Sequence, residues 1–552
     1  MKSIHRLASF ASASLLVLAA SACNQDLTVD NTTNPDVLRV FALPSGIEGT
    51  IASSFQSVHN AIHHTNDPAL YQQALSLGLE SYSSLNNFLN GPRVDIPRSP
   101  IANQNGSSTI FSEFSSLERA ARLDANALDA LARLIEDQKS TLGSDAQNLR
   151  ARAMGFFGMG VATGWLSIIY DSAGIVGPRM PSDSIPPLSG AKEVAAAALA
   201  YLDSAYAYAN NATASATGGF PTPTGTSWFG NVGLSADQFK RLTRSYKAVF
   251  RAGVARTPAE RNAVDWSQVI ADAENGIQSD LMVTVGSTSG WSLGYISTMY
   301  QDATWSELSM MYLGMADTSG AYASFIATPI TTRDGSKLIV QTPDKRWPAG
   351  ADRKTQQGNS SASPANASTK PYIGNRTLAD PSGAGWGISN YDYYRYKYIR
   401  NNSQTGLYPE LMKAEIDLLA AEGYIRKGDI ASAAAKIDLT RVPNGLEKLS
   451  GVVTSATQAV PGGSHCVPEV PSPDGTVSCG NIMEAMKYEK RIETAFSSFG
   501  RWWQDSRGWG DLITNTAYEY PVPYQEMQAR QSRFYSLGGG LPSSATKGTY
   551  GF

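Results

Sequence analysis

Residues 409 to 441, PELMKAEIDLLAAEGYIRKGDIASAAAKIDLTR, restrict what this chain can fold into more than any other stretch. Leu411, Ala414, Leu418, Ala421 and Ile425 recur at the spacing that keeps side chains on one face of a 3.6-residue helix. Gly428 suits the left-handed turn that ends such a helix, and Asp429 suits the cap of the next one. Ile430, Ala433, Ala434 and Ile437 then form a second stripe, whose alanines let the two helices approach closely. A hairpin of this kind cannot bury its stripes alone. It requires neighbours of the same kind, as in tetratricopeptide-type stacks.

The pattern recurs upstream. Pro44 to His63 reads as one helix with Ile47, Ile51, Phe55 and Ile62 on its inner side, and Pro68 to about Leu85 as a second. Residues 112–138 read as a long amphipathic helix, followed by helices over Ala146 to Tyr170 and over 191–210. Leu234 to Ala255 places Phe239, Leu242, Tyr246 and Phe250 on one side, and Val264-Asp265-Trp266 opens a helix to Ile277. The reading gives four helical pairs: two from residues 112 to 210, one from 234 to 277 and one from 409 to 441. Gly155, Gly158 and Gly160 would each weaken their helix by up to about 1 kcal/mol. Close packing against neighbouring helices accounts for them.

Between Asp280 and Leu407 the helical period disappears. This segment holds Trp291, Tyr295, Tyr300, Trp305, Tyr312, Trp347, Tyr372, Trp386 and the aromatic run YDYYRYKYI at 391–399, which alternates well enough for a short strand. A long segment without periodicity is either functional or disordered, and this many aromatics argue for a folded insertion. Recognition of a sugar or peptide needs flat aromatic faces with a few polar groups to fix orientation. The insertion is therefore expected to carry much of the ligand surface, with Trp291, Tyr300, Trp305 and Tyr312 as candidates.

The first residues set the compartment. Lys2 and Arg6 precede an apolar core from Leu7 to Ala20, too short to span a bilayer stably, and Ala20-Ser21-Ala22 lead into Cys23. Small residues before a cysteine resemble the bacterial lipobox, which implies acylation of Cys23; ordinary cleavage just before Cys23 is the alternative. Asn24, rather than an aspartate, favours export to the outer membrane. Cys466 and Cys479 then remain as an even pair in an oxidising compartment. A disulfide between them would contribute about 3 kcal/mol, with two free thiols as the alternative. A net charge of −3 without a basic patch sets nucleic-acid binding aside.

Several stretches resemble the SusD/RagB family. These are the Ala-Glu steps at 414–415 and 421–422, Gly428-Asp429 and Arg441, the Asn34-Pro35 opening, the helix over 146–170, and Val264-Asp265-Trp266. The most specific stretch is NIMEAMKYEKRIETAFSSFGRWWQDSRGWGDL. There Glu489, Arg491, Glu493, Gly500, Arg501, Asp505, Arg507 and Gly510 follow the family's Glu-x-Arg-x-Glu, Gly-Arg and Asp-x-Arg pattern, with a Pro-x-Pro step in the YPVPYQEM that follows. Phe499 stands where the family often has an acidic residue, which leaves the partner of Arg501 open. The resemblance implies a mainly α, SusD-like fold of tetratricopeptide-type helical hairpins with a large irregular loop-rich insertion. The expected parts are a signal peptide (1–22), a lipidated tether (23–43), an N-terminal helical repeat part (44–279), a loop-rich aromatic insertion (280–407) and a C-terminal helical part (408–552), forming one SusD-like body. It further implies ligand contacts from the segment after the second helix, where Tyr82, Asn87 and Phe88 are candidates. The implied function is a surface-exposed outer-membrane lipoprotein that delivers a glycan or other nutrient oligomer to a TonB-dependent, SusC-like transporter, touching the membrane through its lipid anchor only.

Catalytic motifs are missing from the sequence: it has no Gly-x-Ser-x-Gly elbow, His-Glu-x-x-His helix or phosphate loop. His59 and His63 stand four residues apart without an intervening acid or a visible third ligand, so neither a metal nor a cofactor is expected. Glu489, Glu493 and Asp505 are of the residue type that glycoside hydrolysis uses, but nearby Arg491, Arg501 and Arg507 would hold them ionised, and acid/base work needs one carboxyl protonated. These six residues are expected to form a structural ion-pair cluster. The chain is therefore expected not to be an enzyme; a secreted glycan-active hydrolase on a helical scaffold is the alternative, and a scaffold that binds only protein a third. Replacing Cys23 by alanine is expected to leave the protein soluble in the periplasm; its continued sedimentation with outer membranes would refute the anchor.

Overall fold

Local caps set several of the helix boundaries, but not the one between the first two helices. The computed structural model describes residues 37–63, 70–82, 98–104, 110–181, 183–225, 227–293, 307–329, 332–361, 363–377, 389–472, 474–497 and 499–538. The expected leader (1–22), Cys23 and most of the expected tether lie outside them. Pro44 to His63 is two helices rather than one, α1 (Pro44–Ala52) and α2 (Ser54–Ile62). The Ala52 carbonyl, which a continuous helix would offer four residues on, accepts from the Trp228 N–H at 2.6 Å. The next helix, α3 (Leu70–Leu77), ends well short of Leu85. Leu79 turns left-handed (φ 57°) and the Glu80 N–H closes back on the Leu75 carbonyl, feeding the short strand β1 (Ser81–Tyr82).

The long helices are α4 (Phe111–Glu136), α5 (Asp145–Ile169), α6 (Ala191–Ala209), α7 (Ala236–Gly253) and α8 (Trp266–Glu274). Ser144 caps α5 by accepting from the Gln147 N–H, and Ser235 with Gln238 forms a full capping box on α7. Each of the five packs on the next. Residues 112–210 thus supply three helices, not the two pairs expected from the sequence.

The irregular middle contains the strands β2 (Leu281–Val285), β3 (Glu307–Leu308), β4 (Ile373–Asn375), β5 (Tyr391–Tyr393) and β6 (Gly406–Leu411). The expected strand over 391–399 is cut to β5, and Lys397–Asn401 is a short helix. β1 pairs with β3, β4 with β5 and β2 with β6, all antiparallel. The β2–β6 pair joins the two ends of the middle segment. Leu411 therefore packs from a strand, and the helical stripe begins only at α9 (Lys413–Lys427), which lies against α8.

α9 ends at Gly428 in the left-handed conformation (φ 80°), and Asp429 caps α10 (Ile430–Arg441) by accepting from the Ser432 N–H, as the sequence requires. α11 (Ile482–Thr494) covers the α9–α10 hairpin, and α12 (Arg501–Trp509) follows. A disulfide joins Cys466 to Cys479 across a small hairpin that pairs Glu469–Pro471 with Val477–Cys479. Among the described residues no helix is long and apolar enough to cross a membrane.

α5 is the centre of the stack, buried almost all round over its second half. Its glycines are sites of close approach: a Cβ would meet Leu128 at 2.8 Å from Gly155, Leu202 at 2.8 Å from Gly160 and the Phe250 ring at 2.3 Å from Gly164. Helix propensity alone favours alanine at Gly164 by about 1 kcal/mol, whereas overpacking against a ring costs about 1–3 kcal/mol. Gly164→Ala is expected to lower the denaturation midpoint; a raised midpoint would show that the α5–α7 contact yields freely.

Candidate functional site

The C-terminal block is organised around the end of α11. A helix leaves its last four carbonyls without intrahelical partners, and here each accepts from a side chain or turn nearby. Trp502 Nε1 donates to the Arg491 carbonyl (2.9 Å), the Tyr393 hydroxyl to Ile492 (2.7 Å), Arg395 Nη1 to Glu493 (2.8 Å) and the Ser497 hydroxyl to Thr494 (2.8 Å). Two of the four donors come from the middle segment.

The six charged residues read as one cluster divide among separate networks. Glu489 and Glu493 bind Arg346 at 2.8 and 3.0 Å, and Arg346 also binds Asp344 at 2.7 Å. Glu493 further pairs with Arg395 at 3.0 Å. Arg491 pairs with Asp511 (2.5 Å), Arg501 with Glu415 (2.8 Å), and Asp505 with Arg261 (3.2 Å) and Lys490 (2.8 Å). Arg507 donates to the Tyr518 and Gly253 carbonyls. Glu415 answers the question left by Phe499, whose ring is buried against Trp165. Burial raises the Glu489 pKa against the pull of Arg346, so its proton affinity is not suppressed as the sequence suggested. What withdraws it from acid/base chemistry is position, because its carboxyl is sealed from solvent.

The expected aromatic surface is corrected by the described residues. Trp291 (0% exposed), Tyr312 (1%) and Tyr82 (5%) lie in the core, with no open ring face for a ligand. Trp291 packs on Phe55 and His59. Tyr312 carries the Arg491 guanidinium over its ring at 3.7 Å and donates its hydroxyl to the Asp511 carbonyl. Trp347, Tyr372, Tyr391, Tyr393, Tyr394 and Tyr396 are buried as well. Asn87, Phe88, Tyr300 and Trp305 lie outside the described residues. Tyr82 faces Glu307 across the β1–β3 pair. A concavity of about 430 Å³ opens beside Asp237, Arg241, Asp280 and Met282, but none of its described lining residues is aromatic.

Acidic groups lie buried beside the β1–β3 pair. Arg376 stands 3.5 Å from Glu307 and 3.7 Å from Asp392, and Glu80 Oε1 accepts from the Phe496 N–H at 2.5 Å. Burial pushes Glu80 and Glu307 up to about 8 and Asp392 up to about 6. A carboxyl whose folded pKa exceeds its unfolded value stabilises the fold below the unfolded value, and that stability is lost as pH rises through the folded value. For Glu80 the window runs from about 4.5 to about 8. Glu80→Gln is expected to make the fall of stability with pH shallower across this window, by up to about 1.4 kcal/mol per pH unit. Urea midpoints measured against pH check this, and an unchanged slope would refute it.

The histidine pair acquires a third group that the sequence did not reveal. Glu410 reaches it from β6, with Oε2 2.6 Å from His59 Nδ1 and 3.6 Å from His63 Nε2. The β2–β6 register shifts by one between Leu281, which faces Leu411, and Met282, which faces Pro409. Glu410 is therefore the extra residue of a β-bulge, a device that re-aims a side chain. All three groups are buried. Burial and His59 push His63 down to about 4. Burial alone would raise Glu410, but His59 and His63 outweigh it and hold the carboxyl at about 2. The sequence shows no third group beside the two histidines; the fold supplies Glu410.

No protein-family model matches the sequence, and no curated relative matches it. Solved structures do match. A SusD homolog from Bacteroides thetaiotaomicron superposes with a TM-score of 0.53 at 13% identity, covering 91% of this chain and 99% of that one. A SusD superfamily protein from the same organism gives 0.51 at 13% identity over 90% and 98% of the two chains. Another from Bacteroides vulgatus gives 0.51 at 12% identity over 86% and 89%. The hairpin stack, with its irregular middle segment stitched to the C-terminal helices, is the SusD fold.

Proposed function

We propose that this chain is a SusD/RagB-family lipoprotein, anchored through Cys23 at the outer-membrane surface. In this reading it binds a nutrient oligomer, a glycan foremost, and passes it uncleaved to a TonB-dependent, SusC-like transporter. The observation that carries the reading is the SusD fold over nearly the whole chain. The lipobox-like run into Cys23 supports the anchor. The burial of Glu489 and Glu493 in ion pairs with Arg346 supports binding without hydrolysis, because neither carboxyl can reach a glycosidic oxygen from its present position.

The test is a panel of oligosaccharides offered to the purified protein, with binding followed by calorimetry and products by chromatography. Binding with no product is the expected outcome. Product release that disappears in Glu493→Gln would replace this reading with a hydrolase. Co-purification of a large β-barrel transporter with the membrane-anchored protein, lost when the chain is released from the membrane, tests the partner.

A further inference from the structure

The groups around His59 leave one electrostatic question open. His59 Nε2 lies 2.9 Å from the carbonyl oxygen of Ser292. A carbonyl only accepts, so Nε2 carries the hydrogen and donates. In the neutral ring, Nδ1 then presents a lone pair, and it points at Glu410 Oε2 from 2.6 Å. Two acceptors do not sit at that distance without a positive charge between them. The charge is either a proton or a metal ion, and the surroundings distinguish the two.

A proton needs only His59 and Glu410. The third group, His63, brings a second imidazole nitrogen to 3.6 Å from the same carboxylate oxygen, and the three ligand atoms lie within 4.8 Å of one another. Tetrahedral zinc, with bonds of about 2.0–2.1 Å, separates its ligand atoms by about 3.3 Å; the 3.6 Å between His63 and Glu410 is close to this, whereas His59 and Glu410, 2.6 Å apart, draw apart to admit the ion. The Ser292 contact has the form of the outer partner that fixes the tautomer of a metal-bound histidine. Two imidazoles with one carboxylate form a donor set of intermediate softness, suited to zinc-class ions and poorly suited to calcium or magnesium. We propose that His59, His63 and Glu410 form a buried binding site for a divalent ion of the zinc class, which ties α2 to the bulge of β6.

The site adds a structural element to the proposed function without depending on it. The full chain is stripped with a chelator, dialysed against zinc chloride near neutral pH and freed of excess ion. Elemental analysis is expected to find close to one equivalent of zinc, and the loaded protein to melt a few degrees above the stripped one. Cobalt in place of zinc is expected to give visible ligand-field bands in the wild-type chain, a readout that needs no variant. His63→Gln and Glu410→Gln are expected to lower zinc affinity at least ~10-fold while unfolding cooperatively. Wild-type protein that retains no zinc and shows no cobalt bands would overturn the site in favour of a buried imidazolium–carboxylate pair. Zinc retained undiminished in both variants would place the ion elsewhere and overturn it equally.

Discussion

The four terminal carbonyls of α11 govern how the rest of the molecule is assembled. They end inside the protein, where an unpaired carbonyl costs about 1–3 kcal/mol, and their donors come from Tyr393, Arg395, Ser497 and Trp502. The same helix offers Glu489 and Glu493 to Arg346, an arginine with no exposed surface. Removing one partner of such a buried pair strands the other charge and costs about 3–5 kcal/mol. The irregular segment is therefore not an appendage. Its polar groups complete the C-terminal helices, and its two ends close on each other through β2 and β6.

This explains why the segment is rich in tyrosine. A region without long helices must still bury apolar area, and a tyrosine does so while carrying a donor at its tip. Tyr393 and Tyr408 send their hydroxyls to carbonyls at and just beyond the end of α11, Tyr391 to Gln356 and Tyr312 to the Asp511 carbonyl. Composition alone suggested a binding surface because the residue types are the same for both uses. The choice between them depends on whether a ring finds a protein partner, and those described do. Trp291 and Tyr312 are among the rings that serve the core.

Buried charge also sets the molecule's response to pH. Burial raises Glu80 and Glu307 above the ordinary carboxylate range, so both take up protons more readily in the folded state. They favour the folded state in mild acid. Such groups lie where strands and helix ends meet. There the apolar packing of the hairpin stack gives way to backbone that needs polar partners.

By itself the sequence determined what lies within one or two helical turns. The α9–α10 hairpin, its Gly428 and Asp429 caps, the glycines of α5 and the Cys466–Cys479 pair were all legible, because spacing, capping and loop closure act between near neighbours. Boundaries failed where a distant group intervened, as when Trp228 took the Ala52 carbonyl and split the first helix. Only the tertiary structure decided that Arg346 lies between Glu489 and Glu493, that Trp291 faces inward, and that Glu410 meets a histidine 351 positions away. The reason is physical: a bulge in one strand pairing sets where Glu410 points, and no local pattern in the chain encodes which strand it will pair with.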